Sequence, residues 1–183
     1  MRSFDRLVST PAGFKTDNLL TARITLPSAS YGDDKKIQAF YEQLIARVRT
    51  LPGVVAVTGN VFAPFSGPGA GTDFEIVGRP APTGEKTVTD VRMVAADYFA
   101  TLGIPVIQGR TFSSEEQAQK RGVVIINEAL ARKHFAGRNP IGEKIVINIR
   151  RPVVTSEIVG VVGDIRQRVG RQGRGRVGSA LDG

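Results

Sequence analysis

The sequence predicts an α+β fold, and three stretches carry that prediction. An amphipathic helix pattern over residues 35–51 lies between two extended stretches, 19–26 and 54–62. Four consecutive branched aliphatics at 123–126 read as a buried strand that runs into a helix opened by Asn127. Residues 144–149 and 153–162 flank Arg150-Arg151-Pro152 and read as an antiparallel hairpin.

Taken in order, residues 1–18 mix Ser, Thr, Pro, Gly and charge and are expected to be a partly ordered lead-in. Residues 19–26 alternate as a half-buried strand would, and Pro27 ends them. In the helix that follows, Ile37, Phe40, Tyr41, Leu44, Ile45, Val48 and Leu51 share one face, and Asp33 or Asp34 is placed to cap it. Burying such a face is worth on the order of 10–20 kcal/mol before entropy is counted, so it is expected to lie on a sheet. Pro52-Gly53 stops the helix, and residues 54–62 supply a second strand. Strand, helix and strand in that order imply a right-handed crossover between parallel strands, a unit that needs further strands and cover.

Residues 63–72 read as a hinge loop, and a second module begins after it. Its expected strands are 73–78 and 87–94 around a Pro-rich turn. A short helical turn follows, with Tyr98, Phe99 and Leu102 as apolar contacts and Gly103 as its left-handed stop. Ser113-Ser114-Glu115-Glu116 has the form of a capping box. The helix after Asn127 closes at Gly137, and residues 138–142 turn the chain into the hairpin. The stretch 170–183 is rich in Gly and Arg and nearly devoid of apolar residues, which predicts disorder.

Composition narrows the function classes. The 183 residues are 41% hydrophobic and 23% charged, ordinary values for a globular chain. With no cysteine there is no disulfide framework and no thiolate nucleophile or ligand. A single histidine, His134, leaves a triad one candidate base and excludes His-rich zinc arrangements. No apolar window is long enough to span a bilayer, and the start carries no signal-peptide core. Half of the net charge of +8 sits from Arg166 onward, where five arginines face one acid, Asp182.

Each candidate site has a plainer structural account. Ser66-Gly67-Pro68-Gly69-Ala70-Gly71-Thr72 invites comparison with a phosphate-binding loop, but it lacks the Lys-Ser/Thr ending and a following helix, so a hinge is the better account. His134 falls beside Arg132 and Lys133 at a helix carboxyl end, where a cation is favourable, and reads as a cap or surface residue. Asp33 with Asp34, and Glu115 with Glu116, sit at helix starts, where carboxylates complement the dipole without any metal. The arginine tail lacks the interleaved aromatics of a base-stacking surface. Its abrupt composition also fits a truncated or shifted reading frame. No catalytic, cofactor-binding or metal-ligating residue is assigned.

Five phrases, in this order, carry a family resemblance: Tyr98-Phe99-x-Thr101-Leu102-Gly103-Ile104-Pro105, Gly109-Arg110-x-Phe112, Val124-Ile125-Ile126-Asn127-Glu128-Ala129-Leu130-Ala131, Asn139-Pro140-Ile141-Gly142, and Glu157-Ile158-Val159-Gly160-Val161-Val162-Gly163-Asp164-Ile165-Arg166. Pro11-x-Gly13-Phe14-x-Thr16-Asp17-Asn18 and Leu51-Pro52-Gly53-Val54 fit as well. Over residues 11–166 the chain resembles the extracytoplasmic core domain of MacB-like, FtsX-related permeases, with wording close to the acidobacterial type.

The resemblance implies a lead-in at 1–18 after a membrane helix, an incomplete porter-like βαβ subdomain at 19–62, a hinge at 63–72, a mixed α/β Sabre-like subdomain at 73–166, and a divergent tail at 167–183. It implies a non-enzymatic part of an ABC transporter permease that passes ATP-driven motion of membrane helices to a periplasmic substrate or partner. The expected partners are an ATP-binding subunit acting through the membrane helices, a homodimer mate and an unidentified periplasmic partner or substrate, with no nucleic acid. The membrane helices are not in this sequence, so the chain reads as a fragment whose βαβ unit should expose apolar surface. The alternative is a small basic module that binds nucleic acid or anionic membrane through its arginine tail.

Overall fold

The computed structural model describes residues 13–27, 29–59, 70–79, 87–113, 115–116, 119, 122–148, 153–165 and 176–179. Along them run helix α1 (Asp34–Arg49), strands β1 (Ala70–Ile76) and β2 (Val88–Met93), the single turn of helix α2 (Tyr98–Thr101), strands β3 (Val106–Gly109) and β4 (Val123–Asn127), helix α3 (Glu128–His134), and strands β5 (Lys144–Ile147), β6 (Val154–Val162) and β7 (Arg176–Ser179). The α+β expectation holds.

The sheet curls until it meets itself. Its strand order is β3-β6-β4-β7-β2-β1-β5, and β5 pairs in addition with β6. At nine residues β6 is long enough to serve three neighbours. Its first half pairs antiparallel with β5, its second half antiparallel with β3, and its other edge runs parallel to β4. The circuit β6-β4-β7-β2-β1-β5-β6 is therefore a closed six-stranded barrel, which removes most free edges. The hairpin expected around residues 150–152 is the β5-β6 pair, with Lys144 opposite Glu157 and Ile147 opposite Val154.

β4 shows why its sequence is an unbroken aliphatic run. All five of its residues are buried, because both faces of the strand are covered. Val124 and Ile126 join Phe74, Val91, Leu130, Phe135, Ile145 and Ile158 in one cluster. Val123 and Ile125 join Val94, Tyr98, Phe99, Leu102, Ile104 and Phe112 in the other. The helical turn of α2 thus does what its sequence predicts, and Gly103 ends it with φ of 62°. Phe14 of the lead-in and Leu19 just after it pack against this second cluster.

Four expectations are corrected. The expected strands at 19–26 and 54–62 do not form over residues 19–26 and 54–59, residues 60–62 lying outside the described ones, so the helix of the βαβ unit stands without a parallel pair there. The physical reason is the absence of a hydrogen-bonding neighbour, since two parallel strands do not sustain a ladder alone. The expected exposure of apolar side chains follows: Leu20, Ile24, Leu51 and Val55 face solvent.

Helix α1 is opened by Asp33, whose side chain accepts from the Lys35 N–H at 2.9 Å, as the sequence predicts. Its apolar face does not reach a sheet core. Ile37, Phe40, Leu44, Ile45 and Val48 are half-buried, and Tyr41 and Leu51 are exposed. The driving force inferred from periodicity required a partner surface that no strand supplies among the described residues.

The hinge loop predicted at 63–72 loses its last three residues to β1, which begins at Ala70; residues 63–69 lie outside the described residues. The disorder predicted for the tail is overturned at Arg176–Ser179. These residues form β7, parallel to β2 and antiparallel to β4. Two neighbouring ladders take up the backbone polar groups of β7, a stabilisation that a count of apolar side chains does not register.

Candidate functional site

Several side-chain hydrogen bonds meet at the point where β4 passes into α3. Asn127 ends the strand in extended geometry, and its side chain accepts from the Leu130 N–H at 3.2 Å, the cap expected from sequence. Asp164, just beyond β6, doubles that cap. One of its oxygens accepts from the Asn127 amide at 2.6 Å and from the Ala129 N–H at 2.9 Å. Its other oxygen accepts from Arg132 at 2.8 Å. Negative charge at the amino end of a helix is favourable, and Arg132 returns the opposite charge one turn along.

A second fastening holds β3, which lies at the open edge of the sheet. Arg110 reaches Glu116 with two parallel contacts of 2.7 and 2.6 Å. The capping box predicted at residues 113–116 is present: the Ser113 N–H donates to Glu116 at 3.0 Å, and the Glu116 N–H donates to the Ser113 hydroxyl at 3.1 Å. The Arg110 guanidinium, with help from Ser113, holds the Glu116 carboxyl down at about 2 against the opposing cost of burial. The carboxylate in turn raises Arg110. Glu116 thus serves the dipole role expected of it and an ion pair that sequence spacing did not announce.

Glycines at this edge are required by space. Gly109 has φ of 70°, and a Cβ on it would run into the Val159 carbonyl. A Cβ on Gly160 would fall on the Arg110 carbonyl, where the Arg110 N–H also donates to the Val159 carbonyl at 3.0 Å. The Gly109-Arg110 and Val159-Gly160 phrases are two sides of one close backbone crossing.

His134, expected as a cap or surface residue, is half-buried in the last turn of α3. Its ring stands edge-on to Phe74, with centroids 5.3 Å apart. Burial, Lys133 and Arg79 together lower its pKa from the ordinary 6.5, so the neutral form is favoured. Arg79 supplies the positive charge instead, donating to the His134 carbonyl at 3.3 Å while its guanidinium lies 4.8 Å from the Phe135 ring centre. Glu143 pairs with Arg79 from the far side at 3.7 Å.

The remaining candidates do not come together as a chemical site. Asp33 caps α1 and Glu115 accepts from Gln119, each on its own surface. Gly71 and Thr72 belong to β1, so no helix follows the glycine-rich stretch to receive a phosphate. Among the described residues no group of three potential metal-binding side chains exists, and no helix is long and apolar enough to cross a membrane. A cavity of about 40 Å³ beside Arg92, Tyr98 and Ile125 is well below the roughly 300 Å³ of a small-molecule pocket. Sequence reasoning missed Asp164, Arg110 and Arg132; a carboxylate following an aliphatic run was the available signal for the first.

The chain was compared with known proteins. Macrolide export ATP-binding/permease protein MacB of Aggregatibacter actinomycetemcomitans is 30% identical over 83 residues, which is 44% of this chain and 12% of that protein. The MacB of Sodalis glossinidius is 28% identical over 113 residues, 60% of this chain and 17% of the relative. The chain thus spans less than a fifth of the length of these relatives. Two solved structures share the fold. The periplasmic region of MacB from Actinobacillus actinomycetemcomitans superposes with a TM-score of 0.52 at 20% identity, covering 75% of this chain and 53% of that one. The extracellular domain of the ABC-type transporter YknZ from Gram-positive bacteria gives 0.51 at 17% identity, covering 75% and 60%. Nothing in these comparisons supports the alternative of a nucleic-acid or lipid-binding module. The MacB-like periplasmic core domain family matches residues 4–178, and the chain belongs to it as a periplasmic domain of an ABC transporter permease.

Proposed function

We propose that this domain transmits motion: ATP-driven displacement of membrane helices in a full-length permease is passed through it to a periplasmic substrate or partner. In this reading the domain is non-enzymatic, ATP is hydrolysed by a partner subunit, and the permease works as a homodimer. A porter-like unit at 19–62 moves against a Sabre-like unit that begins with β1 and runs to 166, across the connection between them.

The observation that supports it is a contrast in fastening. The barrel is closed, filled on both faces of β4 and pinned at its corner by Asp164. Helix α1 has no residue in the buried core and is tied to the α2 end of the barrel by the exposed Arg49–Asp97 pair at 2.7 Å. Exposed pairs of this kind contribute about 0–1 kcal/mol, weak enough to break and re-form during a cycle. A rigid body joined to a weakly held helix, whose flanking residues Leu19 and Gly59 stay attached to that body, is an arrangement that hinge motion can use.

The test is to tether the two units in the full-length permease with its ATPase. Arg49→Cys and Asp97→Cys bridged by a short bis-maleimide should abolish transport-coupled ATP turnover, while each single variant remains active. Unchanged turnover in the bridged protein would remove the proposal.

A further inference from the structure

We propose that Arg79 and His134 form an acid-released clasp: the chain leaving β1 is held to the carboxyl end of α3 while the imidazole is neutral, and is loosened when the imidazole takes up a proton. The proposal rests on this cluster and not on the transport reading above.

Arg79 sits in the turn that leaves β1. Its N–H donates to the Ile76 carbonyl at 2.9 Å, and the Val77 N–H donates to the Lys144 carbonyl at 2.9 Å, at the start of β5. From this turn the guanidinium crosses to α3 and donates to the His134 carbonyl, one of the acceptors that a helix end leaves open. It also faces the Phe135 ring and, at 3.7 Å, the Glu143 carboxylate ahead of β5. One side chain therefore ties the turn after β1, the end of α3 and the approach to β5 into one cluster.

His134 supplies both the carbonyl that Arg79 holds and a ring that titrates within reach of neutral pH. The ring is half-buried against Phe74. On α3 the charge that bears on it is Lys133, next in sequence, while Arg132 is turned to Asp164. β1 offers the uncharged Phe74, because Asp73 and Glu75 alternate to the other face of the strand. The turn after β1 brings Arg79, and the approach to β5 brings Glu143, which Arg79 engages. Burial, Lys133 and Arg79, in that order, disfavour the charged ring. Linkage is reciprocal: an Arg79 that opposes the proton on His134 is itself opposed, by the same free energy, once that proton is bound. Proton uptake therefore weakens the Arg79 contact through the very residue that accepts it.

The test uses the full chain and needs no variant for its first arm. Amide hydrogen exchange is measured between about pH 7 and pH 5 and corrected for the intrinsic effect of pH on exchange. The Val77 and Arg79 amides should lose protection by about threefold or more, the scale of one hydrogen bond, while the Asn148 and Glu157 amides hold. No local loss, or a loss spread evenly over the sheet, would overturn the clasp. His134→Gln keeps the carbonyl and removes the titrating ring, so it should leave protection at pH 7 in place and abolish the acid step; an acid step that persists would assign it to another group and defeat the proposal. In the second arm the single imidazole resonance is followed by NMR. Arg79→Gln should raise the pH at which it titrates, and Arg79→Lys, which keeps the charge, should raise it less. A midpoint indifferent to Arg79→Gln would show that the guanidinium and the proton are not linked.

Discussion

Asp164 caps the same helix as Asn127 and also holds Asn127 itself, through a 2.6 Å bond from the Asn127 amide. The end of β6 and the end of β4 are thereby locked to one helix start. Removing the carboxylate by Asp164→Ala leaves the Ala129 N–H and the Asn127 amide without this acceptor, and should cost about 2–3 kcal/mol of unfolding free energy. Asp164→Asn keeps an acceptor and loses charge, so about half that cost is expected. Urea unfolding of Asn127→Ala, Asp164→Ala and the double variant should show non-additivity of about 1 kcal/mol, and strictly additive effects would contradict a shared cap.

The crossing of β3 over β6 leaves no room for a side chain. Gly160→Ala places a methyl group on the Arg110 carbonyl, and the expected loss is about 3 kcal/mol or separation of β3 from the sheet. Hydrogen exchange at the β3–β6 contacts is the measurement, with faster exchange of the Arg110 and Gly163 amides as the expected result. Substitution at Gly137, whose surroundings are open although its φ is 73°, should cost much less, about 1 kcal/mol.

Glu116 makes stability depend on acid pH. Its folded-state value of about 2 lies below the ordinary 4.5, so the unfolded chain takes up the proton first as pH falls. The stabilisation is complete above the ordinary carboxylate range and is lost progressively as pH falls toward about 2. Glu116→Gln should cost about 1–2 kcal/mol at neutral pH, a value kept modest because Arg110 is half exposed. The variant and the parent should converge in denaturant midpoint near pH 2; a gap that stays constant down to that pH would contradict the ion pair.

His134 sets the dependence at milder pH. Its value in the folded state is lowered from 6.5, so the proton binds the unfolded chain preferentially. Stability is complete above that pH and declines as pH falls through it toward the lower folded value. As the single histidine, it can be followed directly: its imidazole resonance should titrate below 6.5, and His134→Gln should flatten the melting temperature between pH 7 and pH 5. A raised titration midpoint would restore the cationic cap that the helix end alone suggests.

The legible parts of the fold are those decided within a few residues. The cap of α1 by Asp33, the buried run of β4, the cap of α3 by Asn127, the capping box at Ser113 and Glu116, and the β5-β6 hairpin all follow from local pattern. The pairing of Glu116 with Arg110 and the second cap from Asp164 were not legible. The first requires β3 and the residue after it to be placed against the sheet, and the second joins residues 35 apart along the chain.

What the sequence determined by itself was the α+β class, the helix starts and the family-bearing phrases, because short-range periodicity, capping and turn chemistry act on neighbouring residues. What the tertiary structure alone decided was which extended stretches become strands. Residues 19–26 alternate well and stay unpaired, whereas Arg176-Val177-Gly178-Ser179 alternates poorly and becomes a central strand. A strand exists only where a neighbour accepts its backbone hydrogen bonds, and no local pattern states where that neighbour will be.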